Sequence, residues 1–227
     1  MGSTVAFIGV LGITIGLFLW GVVHVSQNKS RAGVWAGGAA LIWLAVTGGY
    51  VAAGGTRLGA PGLMGFFMLG NLGAVALAFT PFATRLIDGL PLWALAAFQA
   101  FRFPLELVLH QWGTEGTMPI QMTFEGHNFD IVSGLFGLGV AVLVLLTKKE
   151  PPRWLLWLFN TVGSALLVAV IVIVVLSSPL PVKQYEGPPI LIALFLPYAW
   201  IAPICVAGAV AAHVMLWRGL FRTRRSA

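Results

Sequence analysis

The sequence predicts an all-α, polytopic membrane protein with seven transmembrane helices. Composition is the first observation: 59% of the residues are hydrophobic and only 9% are charged, whereas soluble domains carry about 25% charged residues. The second is that apolar runs close to the roughly 20 residues needed to cross a bilayer recur along the whole chain. Only short connectors separate these runs, so residues 1–227 are predicted to form a single membrane domain.

The boundaries of the runs follow from connectors rich in Gly, Pro, Ser and charged residues. The first three spans are followed by QNKSRAG, GGTRLGAP and IDGLP, the fourth by the longer loop GTEGTMPIQMTFEG, and the next two by KKEPPR and SSPLPVKQYEGPP. The predicted spans are residues 4–26, 32–53, 62–84, 90–112, 128–147, 154–176 and 190–217. The first run has no basic segment before it, and we interpret it as a retained helix and not as a cleaved signal.

The Lys and Arg residues of the connectors predict the orientation. One side of the bundle carries ten of them and the other side carries two. The ten are Lys29, Arg31, Arg85, Lys148, Lys149, Arg153, Arg218, Arg222, Arg224 and Arg225, and the two are Arg57 and Lys183. Because positively charged loops stay in the cytoplasm, the C-terminus is predicted inside and the N-terminus outside a plasma membrane, the inner membrane of a bacterium.

The net charge of +6 has the same explanation. The basic residues lie in loops and in the tail, not in a patch interleaved with aromatic side chains, so nucleic acid is not an expected partner. The lipid bilayer and a small-molecule or ion ligand are the predicted partners, and the sequence indicates no oligomeric state. A retinal protein is excluded, because none of the four lysines lies in a predicted span.

The fourth predicted span carries a polar stripe. At about 100° per residue, four polar side chains fall within an arc of about 80°. They are Gln99, Arg102, Glu106 and His110. A charged side chain at a helix centre costs about 2.5 to 3.5 kcal/mol on insertion scales, so the stripe is predicted to face the bundle interior or water.

The fifth predicted span should complete an outward-opening polar pocket beside this stripe. It begins with Asn128 and Asp130, which we expect at the depth of His110 on the neighbouring helix. Small residues further along the same side would let the two helices approach closely. These small residues are Ser133, Gly134 and Gly137.

The connector between the two spans should belong to the pocket as well. Its apolar letters MPIQMTF predict that it folds back over the pocket or lies at the membrane interface. Pro104 removes a backbone hydrogen bond and predicts a kink at the pocket floor. Tyr198, in the last span, would donate a hydrogen bond into the pocket. The predicted substrate-binding residues are Gln99, Arg102, Glu106, His110, Glu125, Asn128, Asp130 and Tyr198.

Binding or movement of a small solute, proton or ion is the leading functional hypothesis. A buried series of Arg, Glu, His and Asp along one wall is typical of proton relays and substrate sites in membrane proteins. Arg102 would hold a carboxylate or a phosphate, while Glu106 and His110 would exchange protons with the outside.

A membrane-embedded metal-dependent enzyme is the alternative from another class. Glu106 and His110 stand four residues apart on one helix, and Asp130 with His127 or Glu125 would complete a four-ligand shell for a divalent ion such as zinc. A water activated by that ion would hydrolyse a lipid-like substrate at the outer leaflet. Glu106, His110 and Asp130 would then be the catalytic residues.

Two further hypotheses need no solute. In a structural subunit, Arg102 and Glu106 would form a pair within one helix, and Asp130 would cap the next helix. A b-type haem would instead be held by His24 and His213, which lie at matching depths in the first and last spans.

Overall fold

The computed structural model describes residues 2–222. This part of the chain is 79% helical and contains no strand. The α-helices are α1 Gly2–His24, α2 Lys29–Ala52, α3 Gly59–Ala78, α4 Pro81–Gly89, α5 Leu92–Phe98, α6 Arg102–Thr114, α7 Ile131–Thr147, α8 Arg153–Ser177 and α9 Ala207–Phe221. A single 3-10 turn, Gln99–Phe101, joins α5 to α6 just before Pro104, where the sequence predicted a kink.

Within residues 2–222, six helical segments are long and apolar enough to cross a membrane, which indicates a multi-pass membrane protein. They are α1, α2, α3, the combined segment Leu92–Thr114, α8 and the segment Tyr198–Phe221. The remaining predicted span, the fifth at residues 128–147, corresponds to α7, which has 17 residues. A helix of that length rises about 26 Å, less than the roughly 30 Å of the hydrocarbon core.

Two predicted spans have different bounds in the structure. The third, 62–84, is divided between α3 and α4, because Thr80 accepts a hydrogen bond from the backbone N–H of Ala83 at 3.3 Å and Pro81 starts the new helix. The last, 190–217, begins only at Tyr198, so Pro197 precedes the helix instead of lying inside it. Hydrophobic composition continues across both breaks, which is why the runs looked continuous.

The apolar core consists of two large clusters stacked along the helices. We call one end of the bundle the upper half, defined by the mutually packed rings of Phe7, Trp112 and Tyr198. The other end, the lower half, is defined by Leu95, Phe159 and Leu216. Arg102 directly follows Phe101 of the upper cluster, and Asn160 directly follows Phe159 of the lower cluster. Polar side chains therefore lie where the two clusters meet.

Close packing of α7 against α5 and α6 positions the site. A Cβ atom added to Gly134 would overlap the backbone of Phe103. One added to Gly137 would lie 2.8 Å from the carbonyl oxygen of Ala96. The predicted role of these two glycines in bringing the helices together is therefore confirmed.

Gly134→Ala should lower the free energy of unfolding by about 1 to 3 kcal/mol, since the backbone of α6 must move to admit a methyl group. Unfolding of the detergent-solubilised protein in increasing sodium dodecyl sulfate measures this. Gly139→Ala is the matched control on the same helix, because within residues 2–222 no heavy atom beyond the adjacent turns of α7 lies within 4 Å of an added Cβ. Helix propensity should make that variant neutral or up to about 1 kcal/mol more stable. Equal stability of the two variants would contradict the close approach of α6 and α7.

Candidate functional site

Eight buried polar residues form the candidate site, which we call the charged cluster. They come from the α5 to α6 junction, the start of α7 and the residues before it, α8 and α9. Its members are Gln99, Arg102, Glu106, Asn128, Asp130, Ser133, Asn160 and His213. Gln99 donates from its side-chain amide to the carbonyl oxygen of Ala209 at 3.1 Å, so it ties the junction to α9.

Arg102 and Asp130 form a two-point ion pair at the centre of the charged cluster. Arg102 Nε donates to Asp130 Oδ2 at 2.6 Å, and Arg102 Nη2 pairs with Asp130 Oδ1. Arg102 is only 1% exposed. The predicted pair of Arg102 with Glu106 is thus replaced by a pair between helices. Asp130 occupies the N-cap position of α7, yet its carboxylate does not cap the helix.

Glu106 has a neutral partner. The side-chain amide of Asn128 donates to both carboxylate oxygens of Glu106, at 2.9 and 3.1 Å. Asn128 in turn accepts from the backbone N–H of Asp130 at 3.1 Å. Within residues 2–222, no Lys, Arg or His nitrogen lies within 4.0 Å of the Glu106 carboxylate. Glu106 is therefore the one carboxylate of the charged cluster without a direct cationic partner among the described residues.

His213 and Asn160 extend the charged cluster toward α8 and α9. Arg102 Nη1 lies 3.0 Å from His213 Nε2, and His213 Nδ1 lies 2.7 Å from Asn160 Oδ1. Because a guanidinium can only donate, Nε2 accepts, and Nδ1 carries the proton that it donates to Asn160. The amide of Asn160 also donates to the carbonyl oxygen of His213 at 3.2 Å. The imidazole is therefore held as one neutral tautomer.

The histidines predicted as haem ligands do not suit that role in this structure. Both ring nitrogens of His213 are used inside the protein, which leaves none for an iron. The His24 ring stacks on Trp20 of its own helix, with ring centroids 5.0 Å apart. Sequence reasoning placed neither His213 nor Asn160 in the charged cluster. Asn160 and Gly163 stand one turn apart on α8, and Gly163 packs directly against the His213 ring, so this polar and small pair was the available signal.

Several predicted pocket residues lie elsewhere. The His110 ring stacks on Phe124 at 4.5 Å, and its Nε2 is 3.9 Å from a carboxylate oxygen of the exposed Glu125. His127 is exposed, with its ring 5.5 Å from that of Tyr185. These side chains lie outside the charged cluster.

Tyr198 also has a different partner from the predicted one. Its hydroxyl hydrogen-bonds with Thr4 Oγ1 at 2.9 Å, so it joins the last helical segment to α1. Its ring packs against Phe7 and Trp112 in the upper half. Tyr198 therefore has a packing role and donates no hydrogen bond to the charged cluster.

The predicted metal ligands do not converge. Across residues 2–222, no group of three or more His, Cys, Asp and Glu side chains is placed to hold a metal ion. The predicted set was Glu106, His110, His127 and Asp130. Glu106 and Asp130 belong to the charged cluster, whereas the two histidines lie against other aromatic rings. The geometry thus gives no support to a zinc-dependent hydrolase.

The connector before α7 folds back into the bundle, as the sequence predicted. Met118, Met122 and Thr123 are buried. The side-chain amide of Gln121 donates to Ser177 Oγ at 3.3 Å, which ties the connector to the end of α8. This inward fold sets Asn128 beside Glu106 and sets Asp130 beside Arg102. Both residues thus lie deeper than the predicted level of His110.

A cavity of about 90 Å³ lies against the charged cluster. Its charged lining residues are Arg102, Glu106 and Asp130. The rest of the lining is almost entirely apolar and comes from α3, α6, α8, the connectors and the last helical segment. Three residues of the predicted pocket, Arg102, Glu106 and Asp130, thus line the cavity as a charged floor, whereas its walls are apolar, which the prediction of a polar pocket did not include.

No known family model, curated protein or solved structure matches this chain. The functional argument rests accordingly on the charged cluster and its cavity.

Proposed function

We propose that this chain is a seven-span plasma-membrane protein that binds or moves a proton, an ion or a small solute at Glu106. In this proposal α7 is the fifth span, the N-terminus lies outside and the C-terminus lies in the cytoplasm. The orientation is supported by the ten basic residues on one side of the spans against two on the other. The upper half, with the cavity, then belongs to the outer leaflet.

The observation that carries the proposal is the charge balance of the charged cluster. The ion pair with Asp130 neutralises Arg102, and His213 is a neutral tautomer. An ionised Glu106 would leave one negative charge in an apolar surrounding, at a free-energy cost of several kcal/mol. Glu106 therefore needs a proton or a cation, and the cavity gives either one a place beside the carboxylate.

The distribution of polar groups favours a site with access from one side. Polar and charged groups lie at the cavity floor, whereas the lower half is filled by the apolar cluster around Leu95, Phe159 and Leu216. Such packing supports binding from the outer side in this conformation. Movement of a solute to the cytoplasm would require the helices of the lower half to separate.

Infrared difference spectroscopy of the protein in lipid nanodiscs tests this role of Glu106. Spectra recorded between acidic and alkaline buffer should contain the band of a buried protonated carboxyl group, and Glu106→Gln should abolish it. Glu115→Gln is the matched control, because the Glu115 carboxylate is exposed and, among the described residues, hydrogen-bonds only with Ser3 and Gln111. The control should keep the band. An unchanged spectrum in Glu106→Gln would overturn the proposal.

A structural subunit is the second candidate, and one observation favours it. The contacts of Arg102, Asp130, His213 and Asn160 join α6, α7, α8 and α9 around one buried group. In that case Glu106 would only hold Asn128 in place. The infrared experiment separates the two candidates, since a purely structural Glu106 gives no band that responds to the buffer.

A further inference from the structure

We infer that the ligand of this cavity is a lipophilic amine, with a protonated amine head at Glu106 and a hydrocarbon part along the walls. The inference rests on the proposed function of Glu106 and names the class of substrate. The amine could belong to a free alkylamine or to the headgroup of a membrane lipid, and both share this chemistry.

The apolar walls of the cavity favour a ligand with a hydrocarbon part. Phe67 of α3, Leu105 of α6, Val170 of α8 and Cys205 near α9 all line the cavity. A hydrated ion or a sugar would lose its hydrogen bonds to water against such walls and would find few replacements. An alkyl chain loses nothing there, because burial of its apolar surface is favourable.

The charged residues at the floor of the cavity favour a ligand with a cationic head group. Asp130 already occupies Arg102 with two contacts, so the guanidinium is not free to bind an anion. The Glu106 carboxylate has about four acceptor positions, of which the Asn128 amide uses one on each oxygen. An ammonium group brings three donors and the positive charge that the charged cluster lacks. A carboxylate or sulfate head would add a second unmatched negative charge.

The exposure of four lining residues leads us to place the opening of the cavity between α3 and α8. Leu63 and Met64 on α3, and Val174 and Val175 on α8, line the cavity and are all half-exposed. Of the connector residues that line the cavity, Met118 and Ile190 are buried, whereas Ala193 and Leu194 are half-exposed. A ligand would therefore pass through this gap, the α3–α8 portal, from the outer leaflet.

The size of the cavity limits the ligand. A water-sized group takes about 10 to 15 Å³ on this scale, so a cavity of about 90 Å³ holds roughly six to nine such groups. An alkylamine of about eight carbons would fill it. A longer chain would extend through the α3–α8 portal into the bilayer.

Equilibrium binding of radiolabelled octylammonium to the protein in phosphatidylcholine nanodiscs tests the inference. We expect one saturable site per chain. Binding should weaken at least tenfold in Glu106→Gln and stay unchanged in the exposed control Glu115→Gln. Octanoate, which has the same length and the opposite charge, should not compete. Equal binding in Glu106→Gln, or equal competition by octanoate, would overturn the inference.

Two portal variants test the route. Met64→Trp should fill the α3–α8 portal and slow octylammonium binding at least fivefold. Leu69→Trp is its control on the same helix, because Leu69 is 64% exposed and does not line the cavity. The control should bind at the normal rate. Equal rates in both variants would exclude access between α3 and α8.

Nanodiscs made with phosphatidylethanolamine distinguish the two sources of the amine. If a lipid headgroup is the occupant, octylammonium should bind several-fold more weakly there than in phosphatidylcholine. If a free amine is the ligand, the two membranes should give the same affinity. If the unsubstituted protein binds no octylammonium but has the Glu106 infrared band, only the lipophilic amine is rejected. Loss of the band itself would reject the proposed function.

Discussion

Asp130→Asn should destabilise the protein by about 3 to 5 kcal/mol, because it leaves the buried Arg102 guanidinium without its carboxylate. Both side chains of the pair are at least nine-tenths buried, so solvent does not screen the loss. Unfolding in sodium dodecyl sulfate measures the change. The matched control is Asp88→Asn, which removes the exposed partner of Arg222. That surface pair should contribute at most about 1 kcal/mol.

A double variant separates the pair from its two members. Arg102→Met with Asp130→Leu removes both charges, and it should recover most of the stability lost in either single variant. His213 loses its donor in this variant, so recovery should stay incomplete by about 1 to 3 kcal/mol. A double variant as unstable as the sum of the two single changes would show that the residues do not act as a unit.

Asn160→Leu should cost about 1 to 3 kcal/mol, since His213 Nδ1 and the backbone carbonyl of His213 both lose a partner. The proton on Nδ1 would then have no acceptor, and the tautomer would be held by Arg102 alone. Nitrogen NMR of the imidazole should report a changed Nδ1 environment, alongside the loss of stability in detergent unfolding.

Asn71→Leu is the control for Asn160→Leu. In the part of the chain that the structure describes, the Asn71 amide donates only to the carbonyl oxygen of Phe67 on its own helix, so it forms no hydrogen bond between helices. Its replacement should change stability by less than about 0.5 kcal/mol and leave the His213 signals in place. Equal effects of the two substitutions would indicate that Asn160 contributes by burial alone and not through His213.

The local sequence pattern was enough to predict the polar stripe and the close packing of α7 against α6. The phase of Arg102 and Glu106 depends only on helix geometry, and the spacing of Gly134 and Gly137 on α7 follows from the same rule. Both features therefore follow from short stretches of sequence. The inward fold of the connector was likewise indicated by its apolar letters.

The hydrogen-bonding partners of the polar stripe could not be predicted from the local sequence, because they depend on how distant segments pack together. Arg102 pairs with Asp130 because the connector carries Asp130 past the predicted level of His110, and the length of the connector alone does not fix that depth. Asn160 and His213 join the charged cluster because α8 and α9 pack against each other and against α5, which leads directly into α6. Helix adjacency is a property of the whole bundle. A lone amide or imidazole in an apolar run gives no indication of it.

The short apolar length of α7 has a consequence for the surrounding lipid. The side of α7 that faces away from the bundle carries exposed aliphatic residues, among them Leu135, Leu138, Leu145 and Leu146. With a rise of about 26 Å, this helix is a few ångströms shorter than a typical hydrocarbon core. As the fifth span of the proposed topology, α7 should therefore thin the bilayer beside it and favour thinner membranes, at fractions of a kcal/mol per ångström of hydrophobic mismatch. The bilayer would then deform on one flank of the protein, beside the helix that supplies Asp130 to the charged cluster.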